Sequence, residues 1–329
     1  MYKTPGRLLA LVIVLGAGYT TPGLSAQQRP AAPEGVVETI QVKPNFYVIF
    51  GGGANVSVLT GEEGIILVDS GSAAMAEKVL AAVKAISDQP IRYIINTSAD
   101  PDHVGGNEVL AKAGVSLNPN AFNAGGESAA VLAHENVLLR MSAPTGQASP
   151  FPIDTWPTET FTARFKSMYL NSEGIQVIRQ PAAHTDGDSI VFFRRADVIV
   201  TGDILDLRQF PVIDAAKGGS IQGEIDALNR LLELAIPAMP LVYKEPRTYL
   251  VPGHGRISDH AEVVEYRDMV TVIRDRIQNM IDKGMTLDQI KAANPTNGYR
   301  KRYGADAGPW TTDMFVEAVY KGLGPARKS

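Results

Sequence analysis

Short apolar runs with strand periodicity alternate with helical patterns along most of the chain. Gly and Asn turns separate the early runs, which is typical of strands joined by tight connections. Strands are predicted at residues 37–42, 46–50, 56–59, 65–68 and 91–96, and again at 175–178, 190–193, 198–201 and 248–251. The pattern therefore predicts two blocks of strands, with helices between and after them.

Helical spacing of apolar residues fills most of the intervals between these strands. Helices are predicted at residues 73–86, 105–113, 129–141, 223–234 and 312–323. After the last strand, apolar residues from about 263 to 281 form one stripe at helical spacing. We interpret this stripe as core packing of a C-terminal helical extension.

The composition is that of an ordinary globular protein, and the length allows one large domain or two small ones. We expect a small-molecule substrate. The chain has 329 residues, of which 45% are hydrophobic and 20% charged, with a formal net charge of −4. Lys and Arg are spread along the sequence, so no basic block indicates a nucleic-acid partner. The chain has no cysteine, so any metal must bind through His, Asp, Glu or water.

The first 26 residues have the pattern of a secretory signal. Lys3 and Arg7 precede an apolar run at residues 8–15, and Ala26 ends a small-residue cleavage pattern. The run is too short to cross a membrane. We expect a cleaved signal at residues 1–26, a disordered lead-in at 27–35 and a single domain at 36–329. The mature protein is then periplasmic or secreted, without a stable membrane span.

Polar residues with metal-binding side chains follow several predicted strands. Residues 97–103 read TSADPDH, and three later segments read PAAHT, TGD and GHG. They place His184, Asp203 and His254 after strands and beside Gly or Pro. A single Asp-x-Asp-His run is also common in solvated turns, and a lone histidine is more often structural. The shared position at strand ends nevertheless predicts one cleft that collects all these groups.

The order and spacing of these motifs resemble the metallo-β-lactamase superfamily. Such proteins carry the pattern His-x-His-x-Asp-His where this chain has residues 98–103. Asp102 and His103 match this pattern, whereas Ser98 and Asp100 replace its two other histidines. The resemblance covers nearly the whole chain after the signal. It implies an α/β fold, a four-layer αββα sandwich with metals at one end of its sheets.

The resemblance also implies two metal positions of unequal quality. The second position is complete and consists of Asp102, His103 and His254, with Asp203 as a bridge. At the first position only Asp100, His184 and the bridging Asp203 remain, because Ser98 is a poor substitute for histidine. The resemblance further implies that Asp69 is a buried carboxylate that orients a ligand. His134 and His260 match no motif, and we expect them to be structural or exposed.

These groups predict a metal-dependent hydrolase. We expect one tightly bound Zn ion and a second ion only at higher concentration, while the oxygen-rich first position also suits Mn or Fe. Metal-bound hydroxide would attack the carbonyl of an ester, lactone, thioester or β-lactam, with Asp102 as both ligand and proton acceptor. An iron-dependent redox protein of the same fold and a catalytically silent binding protein remain alternatives. The sequence leaves the substrate and the oligomeric state open.

Overall fold

The computed structural model of the chain describes residues 35–117, 128–144, 146–238 and 247–324. The predicted signal at residues 1–26 and all but the last residue of the predicted lead-in at 27–35 lie outside this part of the chain. Within the described ranges, no helix is both long and apolar enough to span a bilayer.

The first sheet has seven strands that lie side by side in chain order. Its strands are β1 (Glu38–Lys43), β2 (Phe46–Phe50), β3 (Val56–Leu59), β4 (Ile65–Val68), β5 (Ile91–Ile95), β6 (Ala130–His134) and β7 (Glu159–Phe161). Strands β1 to β4 pair antiparallel, and β4 to β7 pair parallel. The parallel pairs need crossover connections, and α1 (Ala76–Ile86) supplies one of them between β4 and β5.

The second sheet has five strands. They are β8 (Phe165–Leu170), β9 (Glu173–Arg179), β10 (Ser189–Phe193), β11 (Val198–Gly202) and β12 (Tyr249–Pro252), and β11 lies between β10 and β12. Strands β8 to β11 pair antiparallel, whereas β11 and β12 are parallel. As a result β9, β11 and β12 all end at the same edge of the sheet.

Helices cover the outer faces of the two sheets. The remaining helices are α2 (Pro101–Val104), α3 (Asn107–Lys112), α4 (Glu135–Met141), α5 (Ile221–Leu234), α6 (His260–Asp282), α7 (Leu287–Ala292), α8 (Arg300–Tyr303) and α9 (Thr312–Leu323). Ser220 caps the amino end of α5 by accepting the Gly223 amide, and the Asp259 carboxylate caps α6 in the same way. These caps satisfy amides that have no partner inside the helix.

Three apolar cores hold four layers together. The middle core joins the inner faces of both sheets and includes Phe46 and Phe193, whose rings meet edge to face 5.0 Å apart. A second core joins the outer face of the first sheet to α1 and α3. The third and largest joins the second sheet to α5, α6 and α9. The predicted αββα sandwich is confirmed, and the C-terminal helices form part of its outer layer.

One predicted helix was wrong, and two other local features were not predicted. Residues 129–141 are not one helix but strand β6 followed by α4, because a fully buried strand is apolar at every position and mimics a helical pattern. The end of the TSADPDH segment is helical, since Asp102 and His103 belong to the short helix α2. Strands β7 and β8 were not predicted at all, and β8 carries Phe165 and Tyr169 on its exposed face.

Candidate metal centre

All six predicted ligands follow the carboxyl ends of strands. Parallel strands present these ends at one edge of a sheet, and the two packed sheets bring their edges together. Asp100, Asp102 and His103 follow β5, His184 follows β9, Asp203 follows β11, and His254 follows β12. The structure therefore collects residues separated by more than 150 positions in one cleft.

The predicted second metal position corresponds to a group of three residues that we call the imidazole-rich cluster, namely Asp102, His103 and His254. One ligand atom of each lies within 4.8 Å of the others. Nε2 of His254 is 3.1 Å from Oδ2 of Asp102 and 3.5 Å from Oδ1 of Asp203. Nε2 of His103 is 3.2 Å from the same Asp203 oxygen. Two imidazoles and one carboxylate are good zinc ligands, and Asp203 adjoins this cluster as a bridge would.

The predicted first metal position corresponds to the oxygen-rich cluster, which consists of Asp100, His184 and Asp203. Its ligand atoms also lie within 4.8 Å of one another. Oδ2 of Asp100 lies 3.7 Å from Nδ1 of His184. Ser98 belongs to neither cluster. Although it is buried, its hydroxyl accepts the backbone amide of Asp100 at 3.3 Å. The serine thus serves the backbone of this turn.

Four buried atoms at the junction of the clusters have no hydrogen-bond partner in the described part of the chain. They are Oδ2 of Asp100, Nε2 of His103, Nδ1 of His184 and Oδ1 of Asp203. Buried polar atoms in folded proteins nearly always have a partner, so four orphans at one place call for an explanation. Since all four belong to good metal ligands and face one another, the donor set fits a divalent cation.

Asp69 fixes the orientation of His103. Its carboxylate accepts the amide and the hydroxyl of Thr97, each at 2.8 Å, and Nδ1 of His103 lies 2.8 Å from its Oδ2. The residue itself is in the left-handed region, with φ of 61°, where a non-glycine residue costs energy and needs surrounding support. A carboxylate on Nδ1 leaves Nε2 free as a ligand. The structure therefore places Asp69 where an orienting carboxylate should lie.

Neighbouring charges favour the ionised forms of His103 and Asp203. Burial alone would lower the pKa of His103, but the carboxylates of Asp203 and Asp69 outweigh burial and raise this pKa well above 6.5. Burial would raise the pKa of Asp203, whereas the neighbouring histidines, led by His103, hold it well below 3.8. Without a metal, the imidazoles neutralise the carboxylates in its place.

Neighbouring carboxylates also raise the pKa of His184. Burial opposes its protonation, but the carboxylates of Asp188 and then Asp100 raise its pKa to about 9. Asp188 is itself held by the amide and hydroxyl of Thr185 at 2.6 and 2.7 Å. Its position beside Nδ1 of His184, at 3.5 Å, is therefore fixed.

Asp102 remains an anion throughout the neutral range. Burial would raise the pKa of Asp102, but its hydrogen bond to His254 and the charges of His103 and His254 lower it. An ionised carboxylate is a good ligand, whereas a general base works best with a pKa near the operating pH. Of the two roles predicted for Asp102, these contacts favour the ligand role.

The turn after β12 depends on two residues that sequence reasoning missed or undervalued. A Cβ on Gly253 would lie 2.2 Å from Oδ1 of Asp203 and 3.0 Å from Cε1 of His103, so only glycine allows this close approach. The side-chain amide of Asn55 donates to the carbonyls of Pro252 and Gly255, each at 2.9 Å. Asn55 thereby holds the segment that carries His254.

Three further charged residues near the clusters were not predicted. Nζ of Lys217 is 3.4 Å from Oδ1 of Asp100. Arg208, paired with Asp206 through Nε and Nη2, lies beside Gly255. Glu224 is completely buried in α5. Only Glu224 has a clear sequence signal, because it occupies the apolar stripe of a predicted helix.

The two histidines that match no motif, His134 and His260, lie outside both clusters. His134 ends β6 and caps α4, where its Nδ1 accepts the Asn136 amide at 3.1 Å. It is 3% exposed, so of the two expectations for this residue the structural one applies. His260 is the first residue of α6 and is partly exposed.

Comparison with known proteins agrees with this architecture. The family model for the metallo-beta-lactamase superfamily matches residues 49–118, which include β3 to β5 and the Asp102–His103 motif. The linear primary-alkylsulfatase of Pseudomonas sp. (strain ATCC 19151) is 24% identical over 297 residues, covering 79% of this chain and 54% of the relative. The chain thus spans about half the length of this curated relative.

Solved structures share the fold at low identity. The metallo-beta-lactamase from Pontibacter korlensis superposes with a TM-score of 0.54 at 17% identity, covering 72% of this chain and 99% of that one. The stereoselective inverting sec-alkylsulfatase Pisa1 from Pseudomonas sp. gives a TM-score of 0.63 at 16% identity, covering 87% of this chain and 50% of its own. The family-model match at residues 49–118, the sandwich and these similarities together show that the chain has the metallo-β-lactamase fold.

Proposed function

We propose that the chain is a metal-dependent hydrolase whose metal is held by the imidazole-rich cluster. The observation that carries this proposal is the imidazole-rich cluster itself, in which one ligand atom each of Asp102, His103 and His254 lies within 4.8 Å of the others. The buried Nε2 of His103 has no hydrogen-bond partner among the described residues. The similarity to the metallo-beta-lactamase family and to an alkylsulfatase supports hydrolase-type chemistry. The reaction class rests on these groups and not on the fold alone, because one fold serves many chemistries.

The residues divide the work by position. Asp102, His103 and His254 would hold the ion, and Asp69 would keep Nε2 of His103 directed at it. A divalent ion bound here supplies a Lewis acid and lowers the pKa of water to about 7 in favourable cases. Asp203 lies between the clusters and would hold its carboxylate against both. Because its pKa is depressed, this carboxylate stays ionised and does not itself carry the proton.

The substrate class we propose is an ester, lactone, thioester or β-lactam. The alkylsulfatase relative adds sulfate esters to this set, and the Lys217 ammonium beside the oxygen-rich cluster is compatible with an anionic group. The oxygen-rich cluster also favours Mn or Fe over Zn at that position, which supports iron-dependent redox chemistry as the second candidate.

The test combines metal analysis with a substrate panel. The purified chain, loaded separately with Zn, Mn and Fe, is assayed on carboxylic esters, lactones, thioesters, β-lactams and alkyl sulfates. We expect hydrolysis that a chelator abolishes and added metal restores. His254→Ala should lose the tight metal, whereas His260→Ala should keep it, because His260 lies outside both clusters. A folded, metal-loaded protein inactive on the whole panel would refute hydrolysis and favour a binding role.

A further inference from the structure

Lys217 reaches the oxygen-rich cluster from a segment far away in the chain. Its Nζ lies 3.4 Å from Oδ1 of Asp100 and 3.0 Å from Oδ2 of Asp214. The other oxygen of Asp100, Oδ2, faces His184 and has no hydrogen-bond partner among the described residues. The Asp100 carboxylate therefore contacts Lys217 through one oxygen, and its other oxygen faces the candidate metal position.

Hydrogen bonds hold the backbone of Lys217 within reach of the oxygen-rich cluster. The Lys217 carbonyl accepts the backbone amide of Asp186 at 3.0 Å and a guanidinium N–H of Arg140. Its own amide donates to the carbonyl and carboxylate of Asp214 at 3.0 and 3.1 Å. These bonds fix the Lys217 backbone beside the oxygen-rich cluster, and in this structure the ammonium lies between the carboxylates of Asp100 and Asp214.

We propose that the Lys217 ammonium acts as a resident cation of the oxygen-rich cluster and keeps a second divalent ion from binding there tightly. A cation entering beside Asp100 would meet a like charge across the same carboxylate, and this repulsion is substantial where water is partly excluded. Asp100 would also have to share a negative charge that the ammonium already neutralises. The chain then binds one ion tightly, and Lys217 is the reason that the oxygen-rich cluster has a lower metal affinity than the imidazole-rich cluster.

The inference rests on the proposed metal site, and titration of metal-free protein with Zn²⁺ and Mn²⁺ tests both. We expect one tight ion in the wild type. Lys217→Met and Lys217→Gln should add a second binding step, with the second ion bound at least about tenfold more tightly than in the wild type, or about 1.4 kcal/mol. In the Mn²⁺ form, electron paramagnetic resonance should change from isolated to coupled ions, because Asp203 adjoins both clusters.

Two controls make the result specific. Lys217→Arg keeps the charge and should keep a single tight ion. Lys112→Met removes a lysine that is also paired with two carboxylates, Glu108 and Asp154, but lies outside the clusters, so it should titrate like the wild type. Unchanged or weaker second-ion binding in both neutral Lys217 variants would overturn the inference and make Lys217 a residue that positions Asp100 as a ligand. A wild-type chain without any tight ion would instead refute the metal site itself.

Discussion

Glu224 carries a buried carboxyl group whose two oxygens have no hydrogen-bond partner among the described residues. It lies one turn into α5, where Gly223 packs so closely on the Ala182 carbonyl that a Cβ would be 1.8 Å away. Burial, and then the charge of Asp188, raise the pKa of Glu224 well above 4.5. A carboxyl group in this setting is held protonated in the folded chain, since an ionised one would need a partner.

This gives a prediction for Glu224→Gln, which keeps the shape and removes the ionisation. The raised folded-state pKa stabilises wild-type protein fully below about 4.5, and this contribution is lost as pH rises towards the folded-state value. The variant should therefore match the wild type near pH 4 and become relatively more stable above it, by up to about 1.4 kcal/mol per pH unit. Chemical denaturation across this range measures the difference.

The control is Glu233→Gln on the same helix, whose side chain is 65% exposed and paired with Arg230. It should change stability little at any pH, because exposed ion pairs contribute at most about 1 kcal/mol. A Glu224→Gln variant that loses stability at neutral pH would contradict the protonated state and would mean that the carboxylate is ionised and paired.

Residue-level chemistry could be predicted where the residue follows a recognisable strand. Asp102, His103 and His254 are of this kind, and the structure brings them together, although metal binding by them stays a prediction. Lys217 could not be found in this way. It reaches Asp100 across 117 positions of sequence, and an isolated lysine before two glycines carries no local signal of a partner.

At the scale of elements, the turn after β12 sets the spacing of the site. Gly253 follows β12 and donates its amide to the Gly202 carbonyl at 2.8 Å, while its carbonyl accepts the Asn55 amide at 2.7 Å. Both sheets therefore hold this turn by hydrogen bonds. The second sheet does so through Gly202 at the end of β11, and the first sheet through Asn55 just before β3. A shift of this turn moves His254 relative to the ligands after β5.

We predict that Gly253→Ala weakens metal binding roughly ten- to hundredfold, which is the usual range when the support of a ligand is disturbed. The added methyl group would meet Oδ1 of Asp203 and displace it from both clusters. Calorimetric titration of the metal-free protein gives the affinity. The matched control is Gly322→Ala in α9, where a Cβ meets no atom within 4 Å. Wild-type affinity in Gly253→Ala would show that the turn adjusts freely.

Most elements followed from periodicity, and the failures have physical causes. The interval 129–141 fits a helix because β6 is buried on both faces between β5 and β7, so its residues lack the alternation that marks a half-exposed strand. In contrast, α6 and α9 were predicted because each packs only one face against the core. The order of the strands within each sheet is a long-range property that no local pattern contains.

For the whole molecule, the site joins the two halves of the chain. The first sheet contributes the predicted ligands after β5, and the second contributes the predicted ligands His184, Asp203 and His254. Backbone contacts tie the edges together, including the Ser189 amide on the Thr97 carbonyl at 2.9 Å. If the predicted ligands hold a metal, we expect the packing of the two sheets to affect its affinity, and the stability of the domain and the occupancy of the site to be coupled.

This coupling has a definite pH dependence, because protons occupy the site when metal does not. The folded-state pKa of His184 is raised to about 9 by its carboxylate neighbours, against 6.5 in the unfolded chain. Its contribution to the stability of metal-free protein is thus complete below pH 6.5 and is lost as pH rises through about 9. The loss is on the order of 3–4 kcal/mol, because each pKa unit corresponds to about 1.4 kcal/mol.

Metal binding should follow the opposite trend, since imidazole must be neutral to act as a ligand. His103 has to release a proton for an ion in the imidazole-rich cluster, and His184 has to release one for an ion in the oxygen-rich cluster. We predict that the unfolding midpoint of the metal-free protein falls between pH 6.5 and 9, whereas stabilisation by added Zn²⁺ grows over the same interval. Calorimetric unfolding with and without Zn²⁺ measures both trends. His184→Gln should flatten the metal-free profile, because glutamine cannot bind the proton that neutralises Asp188 and Asp100. If the metal-free midpoint is constant or rises over this interval in the wild type, protonated histidines do not replace the metal, and the charge balance proposed for the cleft is wrong.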